Sequence, residues 1–533
     1  MKYNPIRQVS KVTTRPAPVK GINAYDSIIA MPEGYALLLR NFYAQPYGCQ
    51  VRRGYRQHVT GLLGPVETVA SHNNGYESVD NRLYAFVQDS PDAKFYDITD
   101  PGTAGAPLLT GLTNARWQHI NFPNAAGVHM VAVNGADNMV WVQPNNAIVR
   151  VGLGDGSVNT ISGVDPKQLI GVYSHQKRIW FVEKNSTRGW YLPPDQIYGV
   201  ATSFNFGPMW TRGGYLMQII TWTIDDGNGA DDHLMAISSE GEVSVYQGTD
   251  PDGADTWSLQ GVYYAGAPVG RRAAVRYGGD VLIITQHGIV YVSDLLKSTK
   301  VNPTDTDSAK YIQQLVSEAV TLNGRRFGWQ PFIFPGANML VVNIPNTDYN
   351  SYQMVMNDIT KAWSEFLGYE AYCWELHDQL PFYGSFGAVY RAWEGNTDNS
   401  YLDGVGRVIM GKDIRAEAQS TFSYFDTLGQ QKHYKMVRPS ILSRGAFSSN
   451  LSVNVDFVFD TPLAPSAFSF VRPGVWDEDL WDEAVWSGGL TTYKTWQAVT
   501  GIGTAASVRL LVRSASEIYW ASTDWLYEVG GVM

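Results

Sequence analysis

From about residue 80 to 395 one pattern of apolar and polar positions recurs: an apolar run, a turn, then a second apolar run. NRLYAFVQDSPDAKFYDI is the first copy, and VHMVAVNGADNMVWVQ, KRIWFVEKNSTRGWYL and HLMAISSEGEVSVYQG follow. DVLIITQHGIVYVSDL, NMLVVNIPNTDYNSYQMVMN and PFYGSFGAVYRAWEG complete the series. Gly135, Gly241, Gly288 and Pro345 sit where the chain must reverse, so each copy predicts a hairpin. The opening strands start near Leu83, Met130, Ile179, Leu234, Val281, Met339 and Phe382, at gaps of 47, 49, 55, 47, 58 and 43 residues. One supersecondary unit per 40–60 residues is roughly the beat of propeller blades. A sandwich would show turns but no such longer beat. The fold expected is mainly β: a β-propeller of six or seven blades over 61–414.

Three segments depart from the beat. Ile312, Leu315, Val316 and Ala319 follow helical spacing behind a capping Asp307 or Ser308, predicting a helix over 308–321 inserted between blades. Pro32 and Glu33 open a stretch through Leu39 that reads as a short helix. In LSVNVDFVF, Leu451, Val453, Val455, Phe457 and Phe459 alternate with Ser452, Asn454 and Asp456, so 415–533 reads as a small antiparallel sandwich or barrel.

Near the C-terminus stands VWDEDLWDEAVWSGG, with Trp476, Trp481 and Trp486 five apart and Asp477 and Asp482 beside two of them. Five helical steps turn through roughly 140°, so the rings share no helical face. Five strand steps put successive rings on opposite faces. A chain of tight turns fits better, each Asp capping backbone N–H groups while the rings staple the loop onto the C-terminal domain. The alternative is an aromatic platform for a sugar or a partner.

Composition adds a surface. Of 533 residues 17% are charged and 13% aromatic. Few charges with many Tyr and Trp describe either surface covered by partners or simply an aromatic-rich β protein. Net charge is −10, unevenly spread. Residues 1–60 carry nine Lys or Arg against Asp26 and Glu33, a net of +7 that leaves −17 for the remainder. Lys2, Arg7, Lys11, Arg15 and Lys20 therefore read as a basic extended arm docking on something negative, a neighbouring subunit being a simpler partner than nucleic acid. Two distant cysteines, Cys49 and Cys373, make neither a disulfide framework nor a zinc cluster. No signal core or membrane-length apolar run is present, predicting a protein made and used without crossing a membrane by its own signal, with its thiols reduced in a cytosolic assembly environment.

Four segments carry residue types of candidate chemistry. GRVIMGKD (Gly406 to Asp413) has the outline of a phosphate loop, but Asp413 stands where a hydroxyl must hold magnesium. CWELHD offers Cys373, His377 and Asp378, with nothing local to build an oxyanion hole. Asp225, Asp226, Asp231 and Asp232, and then Asp250, Asp252 and Asp255, form acidic turns without calcium-loop spacing. TDPDGADTW misses the Asp-box of sialidase-type propellers by one residue. No catalytic, metal or cofactor site is expected, and the protein is read as a non-enzyme.

GINAYDSIIAMPEGYALLLRNFYAQPYGCQVRRGY resembles the opening of the virion proteins that form the tail nozzle of short-tailed bacteriophages, the tail tubular protein B-like or packaged-DNA stabilisation-like family. Asn23, Asp26, Pro32, Gly34, Ala36, Leu39, Asn41, Phe42, Gly48, Arg53 and Gly54 carry the likeness. VWDEDLWDEAVWSGG, WQAVTGIGTAASVRLLVRS and YEVGGVM are similar to that family's end. Ala24, Tyr25 and Cys49 depart mildly from the pattern. The resemblance implies a structural virion protein in a homo-oligomeric ring, a hexamer in the family. The ring would stand below portal and adaptor, hold fibres or a plug, and pass double-stranded DNA at ejection without sequence-specific binding. The alternative is a propeller that binds or hydrolyses glycans.

Overall fold

The computed structural model describes residues 10–75, 80–225, 230–253, 255–297, 308–347, 350–403, 406–465 and 489–532. Seven sheets stand around an axis. Blade one holds the second half of Tyr55–His72, then Arg82–Asp89, Asp92–Asp97 and Leu109–Leu112. Blade two is Gln118–Asn124, Gly127–Val133, Met139–Val142 and Ile148–Leu153. Blade three is Leu169–His175, Arg178–Glu183, Arg188–Tyr191 and Thr202–Asn205. Blade four is Leu216–Asp225, Ala230–Ser238, Glu242–Gly248 and Trp257–Tyr264. Blade five has three strands, Ala274–Tyr277, Asp280–Thr285 and Gly288–Tyr291. Blade six is Gln330–Phe334, Met339–Pro345, Ser351–Asn357 and Trp363–Leu367. Blade seven is Cys373–His377, Leu380–Gly384 and Phe386–Ala392.

The first strand of each blade touches the first strand of the next, and that of blade seven touches Tyr55–His72, so the ring closes. The closure is covalent in effect. Strand Tyr55–His72 pairs through Tyr55–Thr60 with Phe386–Ala392 and through Val66–His72 with Arg82–Asp89. It is the outer strand of blade seven and the inner strand of blade one. The hand-over needs Gly64, where a Cβ would stand 2.0 Å from the Gln88 carbonyl oxygen.

Between successive blades the apolar faces interleave. Phe86 of blade one stacks on Trp117 at 4.7 Å, with Met130 and Val140 of blade two in the same core. Trp180 of blade three stacks on Trp257 of blade four at 6.0 Å. Cys373, Phe382 and Val389 of blade seven pack on Val69, Leu83 and Val87 of blade one. Each such buried side chain stabilises by roughly 1.5–3 kcal/mol, so the seams between sheets hold the ring.

Each expected hairpin opens on a blade's second strand, and the count is seven. The expected helix is a 3-10 turn, Ser308–Tyr311, followed by α-helix Gln313–Asn323, with Ile312, Val316 and Ala319 buried between blades five and six. A further helix, Val292–Lys297, follows blade five. The short helix expected through Leu39 is corrected: Ala36–Arg40 is a strand, paired antiparallel with Lys412–Ser420. Burial of Ala36 and Leu39 in a sheet overrides local helix preference.

Outside the ring lies a two-sheet sandwich. One sheet runs Phe42–Gln45, Gly48–Val51, Ile518–Val532, Gln430–Ser443 and Thr491–Lys494, with Gln497–Gly503 also on Gln430–Ser443. The other runs Ala36–Arg40, Lys412–Ser420, Ala506–Ser514 and Phe447–Val455. Phe447–Val455 stops short of the alternation expected there, because Asp456 and Phe457 turn the chain with φ of 46° and 65°. The second sheet continues into blade six, Arg40 lying beside Glu365. Ser10–Pro16 adds to Ile518–Val532 in register from Ser10 with Glu528 to Pro16 with Ser522.

Candidate functional site

The docking residues expected at the N-terminus divide. Lys2 and Arg7 lie outside the described residues. Lys11 is exposed on the extended edge strand Ser10–Pro16. Arg15 turns inward on its own chain, with Nη1 2.8 Å from Glu33, Nη2 3.2 Å from Asp426 and its guanidinium over Phe425 at 5.3 Å. Lys20 is exposed and lies over the Tyr35 ring at 5.4 Å. Trp476, Asp477, Trp481, Asp482 and Trp486 also lie outside the described residues.

Cys373 is buried in the seam between blades seven and one, where burial pushes its thiol pKa up to about 11. His377 stands four strand residues away, roughly 13 Å along the chain, so the two form no nucleophile–base pair. His377 instead meets Ser71: Nδ1 lies 2.9 Å from Ser71 Oγ, and Nε2 lies 3.6 Å from Asp378. Asn81 donates to the same Asp378 at 2.6 Å. This is the outline of a Ser–His–Asp set, but Ser71 has no solvent exposure. It bonds blade seven to blade one and presents no nucleophile to a substrate.

Three residues of the acidic turns find partners within the chain, while Asp226 and the side chains of Asp225 and Asp231 lie outside the described residues. Asp250 receives Arg178 at 3.1 Å, Asp252 accepts the Tyr191 hydroxyl, and Asp232 accepts Thr223 Oγ1 at 2.6 Å. Among the described residues no group of three or more His, Cys, Asp or Glu is placed to hold a metal ion. No helix among them is long and apolar enough to cross a membrane.

The axis of the ring holds what pattern reading missed. At the mouth where the inner strands begin, a cavity of about 470 Å³ is lined by Arg116, Lys184, Arg271, Arg272 and Arg326, with Glu67 as its one carboxylate among the described residues. Gln118, Arg271 and Arg272 also line a second cavity of about 370 Å³ further along the axis, so the Arg pair stands between the two.

Arg271 and Arg272 lie in the connection between blades four and five. Arg272 reaches across the axis: Nη1 donates to Glu67 O at 3.1 Å, and Nη2 to Thr68 Oγ1 and Trp117 O, both at 2.7 Å. Arg271 Nη1 donates to Met217 O at 3.1 Å. Phe327, from the connection into blade six, lies under two guanidinium groups, Arg116 at 4.5 Å and Arg272 at 5.2 Å. Glu67 is taken by Arg116, which donates through Nε and Nη2 at 3.0–3.2 Å. Burial lowers the pKa of both Arg271 and Arg272, the mark of guanidinium charge without full compensation. The only sequence signal was the doublet in GAPVGRRAA, a loop without periodicity.

A closed ring of seven blades joined to a sandwich makes this a β-propeller protein. No family model and no curated protein matches the sequence. Among solved structures, the chain is similar to BBS1N in the crystal structure of its complex with ARL6DN: TM-score 0.39, 12% identity, 65% of this chain and 99% of that one. It is also similar to the Myceliophteria thermophila Cps50 (Swd1) β-propeller domain: TM-score 0.37, 10% identity, 61% of this chain and 98% of that one. Both are distant likenesses, and the propeller assignment rests on the ring of sheets itself.

Proposed function

We propose that this protein is a structural wall subunit of a short-tailed phage, the tail nozzle, working without catalysis. The observation that carries the reading is that the two chain ends bearing the resemblance fold together. Ser10–Pro16, Phe42–Gln45 and Gly48–Val51 share one sheet with Ile518–Val532. The family-like residues act there as folding devices. Asn23 accepts from the Tyr25 and Asp26 N–H groups, both at 3.0 Å, and Phe42 packs on Trp520 at 6.2 Å. Such a pattern suits a body whose purpose is its shape.

In this reading subunits assemble as a ring around DNA, docked on adaptor and portal and carrying fibres or a plug. The propeller axis is crossed by Arg272 and is no conduit for a duplex. The passage therefore runs between subunits, past acidic surfaces that avoid the tight, counterion-releasing grip of a basic lumen. The glycan-hydrolase alternative needs two carboxylates across a scissile bond. Among the described residues the axial mouth has Glu67 alone, already committed to Arg116.

Imaging of the protein on purified particles, with mass photometry of the subunit mixed with its adaptor, tests the reading. Rings at the distal tail are expected. A protein that stays monomeric with adaptor and is missing from particles overturns it.

A further inference from the structure

We propose that the axial mouth of the propeller is a binding site for a small phosphoryl ligand, a phosphate ester or pyrophosphate, held by Arg271 and Lys184 with the Gln118 amide as an added donor. This rests on the cavity and not on the nozzle reading.

Charge is the first argument. Five cationic side chains line the cavity against Glu67, and Glu67 is consumed by Arg116. Among the described residues no carboxylate lies in ion-pair contact with Lys184, Arg271 or Arg272. A chain of net −10 thus sets Lys184, Arg271 and Arg272 together with no ion pair to any of them among the described residues.

Donor accounting is the second. Arg272 is held by two carbonyls and a hydroxyl, and Arg271 through Nη1 by the Met217 and Leu216 carbonyls, with its guanidinium over the Tyr215 ring at 5.5 Å. Carbonyls fix the direction of a guanidinium and leave its charge standing. Arg271 keeps Nε and Nη2 without a hydrogen bond among the described residues. Lys184 spends one bond, on Gly135 O at 3.2 Å, and is otherwise exposed. The Gln118 amide makes no hydrogen bond among the described residues. These donors line the cavity with bonding capacity to spare.

The third argument is size and valence. About 470 Å³ exceeds a bare phosphate and is in the range of small-ligand sites. Three cations without an ion pair among the described residues call for more than one negative charge, and phosphoryl oxygens match the forked donors of arginine. A bound anion would also offset the cost of burying the Arg271 and Arg272 charges.

Calorimetry of the full chain with inorganic pyrophosphate, at ionic strength matched with sodium chloride, tests this. One-to-one saturable binding is expected, weakened about tenfold by Arg271→Gln and by Lys184→Gln, the scale of one charge-assisted hydrogen bond. Should Arg271→Gln fail to fold, the exposed Lys184 carries the test. No saturable heat with wild type, or wild-type affinity in folded Lys184→Gln, overturns the proposal. Displacement of pyrophosphate by stoichiometric duplex DNA would assign the site to a polymer backbone and overturns it equally.

Discussion

Arg52 and Asp398 meet as a two-pronged ion pair inside the protein, Nη1 donating to Oδ1 at 2.7 Å and Nη2 to Oδ2 at 2.6 Å. Arg52 also donates Nε to Asn41 Oδ1 at 2.9 Å and Nη2 to Leu367 O at 2.6 Å, and lies over the Tyr369 ring at 4.5 Å. Asn41 takes φ of 54° and donates to Arg415 O at 2.8 Å. One guanidinium thereby ties the sandwich to the outer strand of blade six and to the chain leaving blade seven.

Asp398→Asn should cost about 3–5 kcal/mol, because Arg52 would keep a buried charge without its partner. Denaturant melts followed by circular dichroism check this. Arg52→Met with Asp398→Leu should recover part of the loss, since neither then leaves a lone charge.

Gly64→Val should destabilise by about 3 kcal/mol or more, as its Cβ meets the Gln88 carbonyl at the hand-over between blades. A melting temperature within a degree or so of wild type would refute the steric account.

His58 and His175 predict an acid limb. Burial lowers each ring pKa to about 4 from an ordinary 6.5. Between those values the unfolded chain binds protons that the folded chain refuses, so stability is full above pH 6.5 and falls toward pH 4. The loss is on the order of 3 kcal/mol per ring. His58 Nε2 donates to Ile98 O at 2.7 Å, a bond that glutamine can imitate. His58→Gln should therefore flatten the fall in melting temperature between pH 6.5 and pH 4.

Both thiols should resist alkylation. Burial pushes Cys49 and Cys373 upward, Cys373 to about 11, leaving almost no thiolate at neutral pH. Mass spectrometry after iodoacetamide should find neither labelled in native protein and both labelled in guanidinium.

What the sequence made legible was the strand most apolar in each blade. Leu83, Met130, Ile179, Leu234, Val281, Met339 and Phe382 all fall in second strands, packed on both faces, and a double-sided core writes a continuous apolar run. The inner strands were harder to see, because one side faces the axis: QHINFPN carries polar residues where Gln118 and Asn121 line it. The shared strand Tyr55–His72 carries Gly61, Gly64 and Pro65, residue types that ordinarily interrupt a strand pattern and here serve the transfer between sheets. The N-terminal segment reads as an arm by composition, yet Arg15 finds Glu33 and Asp426 within its own chain. Composition reports charge and says nothing of its partner. The axial arginines come from loops of three different connections, and only the closed ring brings them together.

Strand Tyr55–His72 leaves the ribosome early, but its partner Phe386–Ala392 is made more than three hundred residues later. Ser10–Pro16 waits longer still, for Ile518–Val532. A nascent chain thus carries two unmatched edges through most of its synthesis, and a prematurely terminated product has no way to cover them. Emergence of those late strands becomes the step that commits the molecule to its native form, and fragments cut short of them are marked for removal by their own exposed edges.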